Sequence, residues 1–116
     1  MKTLKYSLEY HCYPIWYYDE SGELIDNDLP DEMRDDEELD SLLLIIQKRF
    51  DDLYIDTPKE FSSHGFKSET ERQDFMSLLF SSVALIQQRY GANYLIDCSY
   101  NENSFPVVEA ASHDAQ

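Results

Sequence analysis

In the first ten residues Leu4, Tyr6, Leu8 and Tyr10 share one parity, with Lys5, Ser7 and Glu9 on the other. This period of two predicts a half-buried strand. Pro14 interrupts the aromatic run that follows. Because proline cannot donate to a ladder, Tyr13–Tyr18 reads either as an edge strand or as the first strand continuing past a bulge. Asp19-Glu20-Ser21-Gly22 predicts a hairpin turn, with Gly22 free to take positive φ. Glu23–Asp26 is then a short return strand, which Asn27-Asp28-Leu29-Pro30 breaks.

Beyond this point the period changes. Leu39, Leu42, Leu43, Ile46, Phe50 and Leu53 recur at helical spacing. The helix is expected to begin near Asp35 or Asp36, with Asp35 as N-cap and Glu38 completing a capping-box pattern. Acids at its start and Lys48 and Arg49 at its end both suit the helix dipole. Tyr54-Ile55 and Glu60–Phe66 read as short strands or an irregular connection punctuated by Pro58 and Gly65.

A second helix is bounded by Ser68 as N-cap, with Glu71 three places on, and by Arg89 before a stop at Gly91. Phe75, Met76, Leu78, Leu79, Phe80, Val83, Leu85 and Ile86 cover most of its circumference. Such a helix is either buried on two sides or gives one face to a partner, a second copy of the chain included. Asn93–Tyr100 closes the fold as a strand with Tyr94, Ile96, Cys98 and Tyr100 on one face. The expected architecture is an α+β domain over residues 1–108, two main helices packed against a mainly antiparallel sheet. Residues 109–116, EAASHDAQ, lack periodicity and bulky apolar side chains and are expected to fray.

A length of 116 residues supports one core, and with 42% hydrophobic and 14% aromatic residues the chain can fill it. Leu42–Ile46 is the longest apolar run, far short of the roughly 18 residues needed to span a bilayer. The N-terminus begins with two lysines in its first five residues but has no apolar core or cleavage site of a signal peptide, so a cytoplasmic location is expected. Two cysteines, Cys12 and Cys98, are too few for a disulfide scaffold and read as buried, reduced thiols.

Charge changes the picture. From Asp19 to Asp40 there are twelve acidic residues and one base, Arg34, a local net of −11 out of −15 for the chain. Leu24, Ile25, Leu29, Pro30, Met33 and Leu39 thread the run, so it reads as a folded surface rather than a tail. Such a field attracts basic partners and repels nucleic acid and anionic membranes. Part of it has a second purpose, since Asp36, Glu37 and Glu38 stabilise a helix N-terminus.

Chemistry finds little support. Asp26, Asp28 and Glu37 match positions 1, 3 and 12 of an EF-hand loop, but Pro30 and Asp31 stand at positions 5 and 6, where the motif needs Gly at the latter. His11 beside Cys12 has no zinc-ligand spacing to His64, Cys98 or His113. With three glycines in all, the chain carries no phosphate-binding loop and no nucleophile elbow. No motif calls for a metal or cofactor, and an enzyme reading has no positive support. Tyr13, Trp16, Tyr17 and Tyr18 could pack a sheet or anchor an interface, where such residues are enriched.

The stretch from Tyr10 to Pro30, YHCYPIWYYDESGELIDNDLP, combines a Pro-x-Trp strand, an Asp-x-x-Gly hairpin and an Asp-Asn-Asp-Leu-Pro segment opening an acidic helix. In these features it resembles the small immunity proteins encoded beside bacterial polymorphic toxins. The resemblance implies an inhibitor that occludes a toxin's active site or a neighbouring surface, often through complementary charge. The residues point the same way: a nuclease toxin must be basic where it holds phosphates, and carboxylates can compete there. Asp28, Asp31, Glu32, Asp35 and Asp36 would carry that field, with Trp16, Tyr17 and Tyr18 as hydrophobic anchors. The expected partner is a cognate toxin with a basic surface. A cytoplasmic interaction or regulatory domain unrelated to toxins is the alternative.

Overall fold

A computed structural model describes residues 1–105 and Val107. Its main sheet holds β1 (Lys2–Tyr6), β2 (Ile15–Tyr18), β3 (Leu24–Asp26) and β6 (Tyr94–Cys98) in the order β3-β2-β1-β6. Between β3 and β6 the chain forms a 3-10 turn (Asp31–Met33), α1 (Glu37–Asp51), a separate two-stranded hairpin of β4 (Tyr54–Thr57) and β5 (Glu60–Ser63), and α2 (Glu69–Tyr90). The α+β class follows from this order. The sheet is mostly antiparallel but mixed: β2 runs antiparallel to β1 and β3, whereas β6 is parallel to β1. The long crossover through both helices returns the chain to the starting end of β1, which fixes that direction.

Leu4, Tyr6, Ile15 and Tyr94 point from one sheet face into the core, where they join Leu39, Leu43 and Ile46 of α1 and Phe75, Leu79 and Ile86 of α2. Apolar burial of this kind supplies most of the drive to fold. One polar pair lies inside it. Tyr6 and Ser82 hydroxyls are 2.8 Å apart, and the Ser82 proton goes to the Leu79 carbonyl at 2.6 Å, so Tyr6 is the donor to Ser82.

The first strand ends earlier than its alternation predicts. Leu8 is buried and Tyr10 half-buried, yet β1 stops at Tyr6. Beyond it the backbone bonds elsewhere: Ser7 N–H to the Pro14 carbonyl, Leu8 N–H to the Tyr100 hydroxyl at 2.7 Å, with His11 at φ 61 in a left-handed turn. Tyr13–Tyr18 is neither an edge strand nor a continuation. Pro14 lies just before β2, where its missing N–H is not needed, and β2 is an inner strand.

Two caps also differ in detail. Asp36, not Asp35, is the N-cap of α1, and its side chain accepts from Leu39 N–H, so the residue three places beyond the cap is an apolar one and no capping box closes. Ser68 caps α2 as expected, accepting from Glu71 N–H. Gly91 ends α2 with a right-handed φ of −62°; there glycine answers crowding, since a Cβ would meet the Gln87 carbonyl oxygen at 2.5 Å. On α2, Phe75, Met76, Leu79 and Ile86 are buried while Phe80 is 41% exposed, so the apolar circumference is only partly covered. The segment expected to fray, 109–116, lies outside the described residues.

Candidate functional site: an acidic groove beside an edge strand

The β2–β3 hairpin is built around Asp19. Its carboxylate accepts from Ser21 N–H, Ser21 Oγ and Glu23 N–H at 2.8–2.9 Å, while Gly22 takes φ 88. The Glu23 amide, with the Ser21 hydroxyl after it, holds this carboxyl below the usual aspartate range. A bulge between Tyr17 and Tyr18 then shifts the register, and all three residues of β3 are exposed at the sheet edge.

Asn27 clips the next segment to the sheet. Its Oδ1 accepts from Tyr13 N–H, and its Nδ2 donates to the carbonyls of Tyr13 and Ile15 at 2.7 and 2.9 Å. Leu29, Pro30 and Met33 are buried behind it, which forces the acids between them outward.

The result is a groove of about 310 Å³ with Leu29 and Pro30 beneath and Tyr17, Ile25, Asp26, Asp31, Glu32 and Arg34 around it. Arg34 is shared among three carboxylates: Asp26 at 3.7 Å, Asp28 at 3.4 Å and Asp31 at 3.3 Å. One guanidinium cannot neutralise three acids, so the rim stays anionic. The side chains of Glu20, Glu23, Glu32, Asp35 and Glu37 make no ion pair among the described residues.

The eight residues singled out in the sequence fall in different places. Tyr17, Asp31 and Glu32 meet at the groove; the Asp31 side chain is 94% exposed. Asp28 is half-buried on its rim through Arg34, and Asp35 is exposed in the turn before α1. Asp36 is spent on the fold. Its side chain is 10% exposed and accepts from Leu39 N–H, Arg89 Nη1 at 2.8 Å and Tyr90 Oη at 2.6 Å, tying the start of α1 to the end of α2. Burial works to raise that carboxyl, but the Tyr90, Leu39 and Arg89 bonds outweigh it and leave it below the usual range. Tyr90 is in turn pushed up to about 12 by burial and by this bond.

Trp16 and Tyr18 lie on the opposite sheet face from Tyr17, lining a small recess of about 100 Å³ with Lys5, Ser7, Glu9 and Leu24. Consecutive strand residues cannot share a face, so the three aromatics never form one patch. Ile25, Asp26 and Arg34 also line the groove, although the sequence does not mark them as partner-binding residues. The spacing of Asp31 and Arg34, an i,i+3 pair, is the signal that would have found the last of them.

Other candidates offer less. A cavity of about 390 Å³ between the end of α1 and the start of α2 has a rim of mixed sign, Arg49 and Lys67 with Asp52 and Glu71, and its Phe66 and Phe75 are buried in the core. Burial raises both the Cys12 and Cys98 thiols, away from the reactive thiolate. No group of three or more His, Cys, Asp or Glu among the described residues is arranged to hold a metal ion, and no helix among them is long and apolar enough to cross a membrane.

A family profile described as Serratia CdiI immunity protein-like matches residues 2–101, nearly the whole chain. The chain belongs to that family. Membership makes it an immunity protein of the contact-dependent inhibition type, with a toxin-neutralising role and a cognate toxin as binding partner. No curated protein matches the sequence. The matched span of the immunity protein includes both the groove and the open face of the sheet.

Proposed function

We propose that this immunity protein neutralises its toxin by setting the acidic groove and the carboxylates beside it against a basic surface of the toxin domain. In a nuclease that surface would hold phosphates, and occupying it would exclude the substrate. The observation that carries the reading is the set of carboxylates lining the groove, Asp26, Asp31 and Glu32, which Arg34 alone cannot balance, beside the exposed Ile25. Clustered like charge works against a compact state, so its concentration on one surface suits a task outside the fold.

The field would accelerate capture, because complementary charge raises association rates well above those of neutral pairs. Charge alone does not hold a complex. Exposed ion pairs contribute only about 0–1 kcal/mol each, so Tyr17 and Ile25 would supply apolar contact within the groove. The protein acts by binding, without turnover, in the cytoplasm, where Cys12 and Cys98 stay reduced.

The test is co-expression with the toxin domain encoded beside the gene. Cells should survive, and the two proteins should purify as a complex in which toxin activity is blocked. Death of the co-expressing cells, with no complex recovered, would refute the proposal.

A further inference from the structure

The helices cover one face of the main sheet, and the opposite face carries residues of the other parity. Across it runs a row set by register, Leu24–Tyr18–Thr3–Leu95, from edge strand β3 to edge strand β6. Four neighbouring strands make it about 14 Å wide. Both ends are open: Leu24 is 51% and Leu95 53% exposed. A second row, Trp16–Lys5–Asp97, lies beside it.

Trp16 has an unusual status. Its Nε1–H donates to the Ser7 carbonyl at 2.9 Å, so the indole's one polar group is already satisfied within the chain. The ring is half-buried and held in place, and it needs nothing polar from a partner. An aromatic ring fixed before binding loses little freedom on contact, the property of a good anchor.

We infer that this open sheet face, centred on Trp16, Tyr18 and Leu24, is the apolar anchor site for the toxin, which meets it with an apolar side chain flanked by Lys or Arg. The inference rests on the toxin-binding reading above and assigns it a second surface. Charge decides the occupant. Glu9 beside Trp16 and Asp97 on β6 rim the face, against the base Lys5. A second copy of the chain would bring the same rim and another net −15 against it, whereas a basic toxin complements it. Leu24 on this face and Ile25 and Asp26 at the groove are consecutive residues of the exposed strand β3, so one partner straddling that edge reaches both surfaces.

Trp16 is the only tryptophan in the chain, so protein labelled with 5-fluorotryptophan gives one fluorine resonance to follow. Saturation with the toxin domain should shift it. Leu24→Ser and Leu95→Ser, both at exposed positions, should together speed dissociation by about tenfold or more while folding is retained. A complex that forms with the resonance unmoved and dissociation unchanged would overturn this inference and leave toxin binding intact. Failure of any complex to form would instead refute the toxin-binding reading. A resonance that moves with protein concentration alone, with dimer mass, would assign the face to self-association and also overturn the inference.

Discussion

Asp36→Ala removes a carboxylate that three different groups share. The lost N-cap bond to Leu39 N–H is worth about 1 kcal/mol. The Tyr90 hydroxyl, 2.6 Å away and part-buried, loses a charged acceptor, a further contribution on the order of 1–2 kcal/mol. Arg89 is 36% exposed, and solvent screening leaves its share small. Together the cap and the Tyr90 bond predict a loss of about 2–3 kcal/mol in urea unfolding at pH 7, with an unchanged slope. Asp36→Asn keeps a competent cap and should lose about half as much. The charge adds a pH signature. Because the folded-state carboxyl lies below its ordinary value, its contribution is fully present above about pH 4 and is lost as the pH falls through the folded-state value. Wild type and Asp36→Asn should therefore converge in acid. If Asp36→Ala unfolds within about 0.5 kcal/mol of wild type at pH 7, the link between the start of α1 and the end of α2 has been misjudged.

Tyr6→Phe leaves the buried Ser82 hydroxyl without its donor, and a loss of about 1–1.5 kcal/mol in urea unfolding is expected; no loss would mean that water replaces the bond. Calcium should bind no better than weakly in moderate salt, because Arg34 already sits among Asp26, Asp28 and Asp31. A stoichiometric calorimetric site of micromolar affinity, abolished by Asp28→Ala, would contradict that.

The elements were legible where side-chain period and end signals agree. Ser68 and the apolar positions through Ile86 mark α2, and the alternation from Tyr94 to Cys98 marks β6. The alternation runs past the end of β1 because Leu8 continues it while its backbone bonds to the Tyr100 hydroxyl, which sequence does not show. The parallel direction of β6 depends on where the crossover returns, a tertiary matter. At the site, the acidic surface was visible in composition, but its division of labour was not. Asp35 and Asp36 are neighbours with the same chemistry, yet only Asp36 faces Arg89 and Tyr90, more than fifty residues away. Trp16, Tyr17 and Tyr18 looked like one cluster because composition ignores the pleat that separates them.

The central claim is that the acidic surface captures the toxin, and association kinetics test it directly. The rate for the toxin domain should be measured across ionic strength, for wild type and for the triple reversal Asp31→Lys, Glu32→Lys and Asp35→Lys. These three side chains are exposed, and none holds the core together. The wild-type rate should fall by about tenfold or more from low to high salt, and the reversal should be slow at low salt with a flattened dependence. A wild-type rate indifferent to salt and unaltered by the reversal would contradict the account.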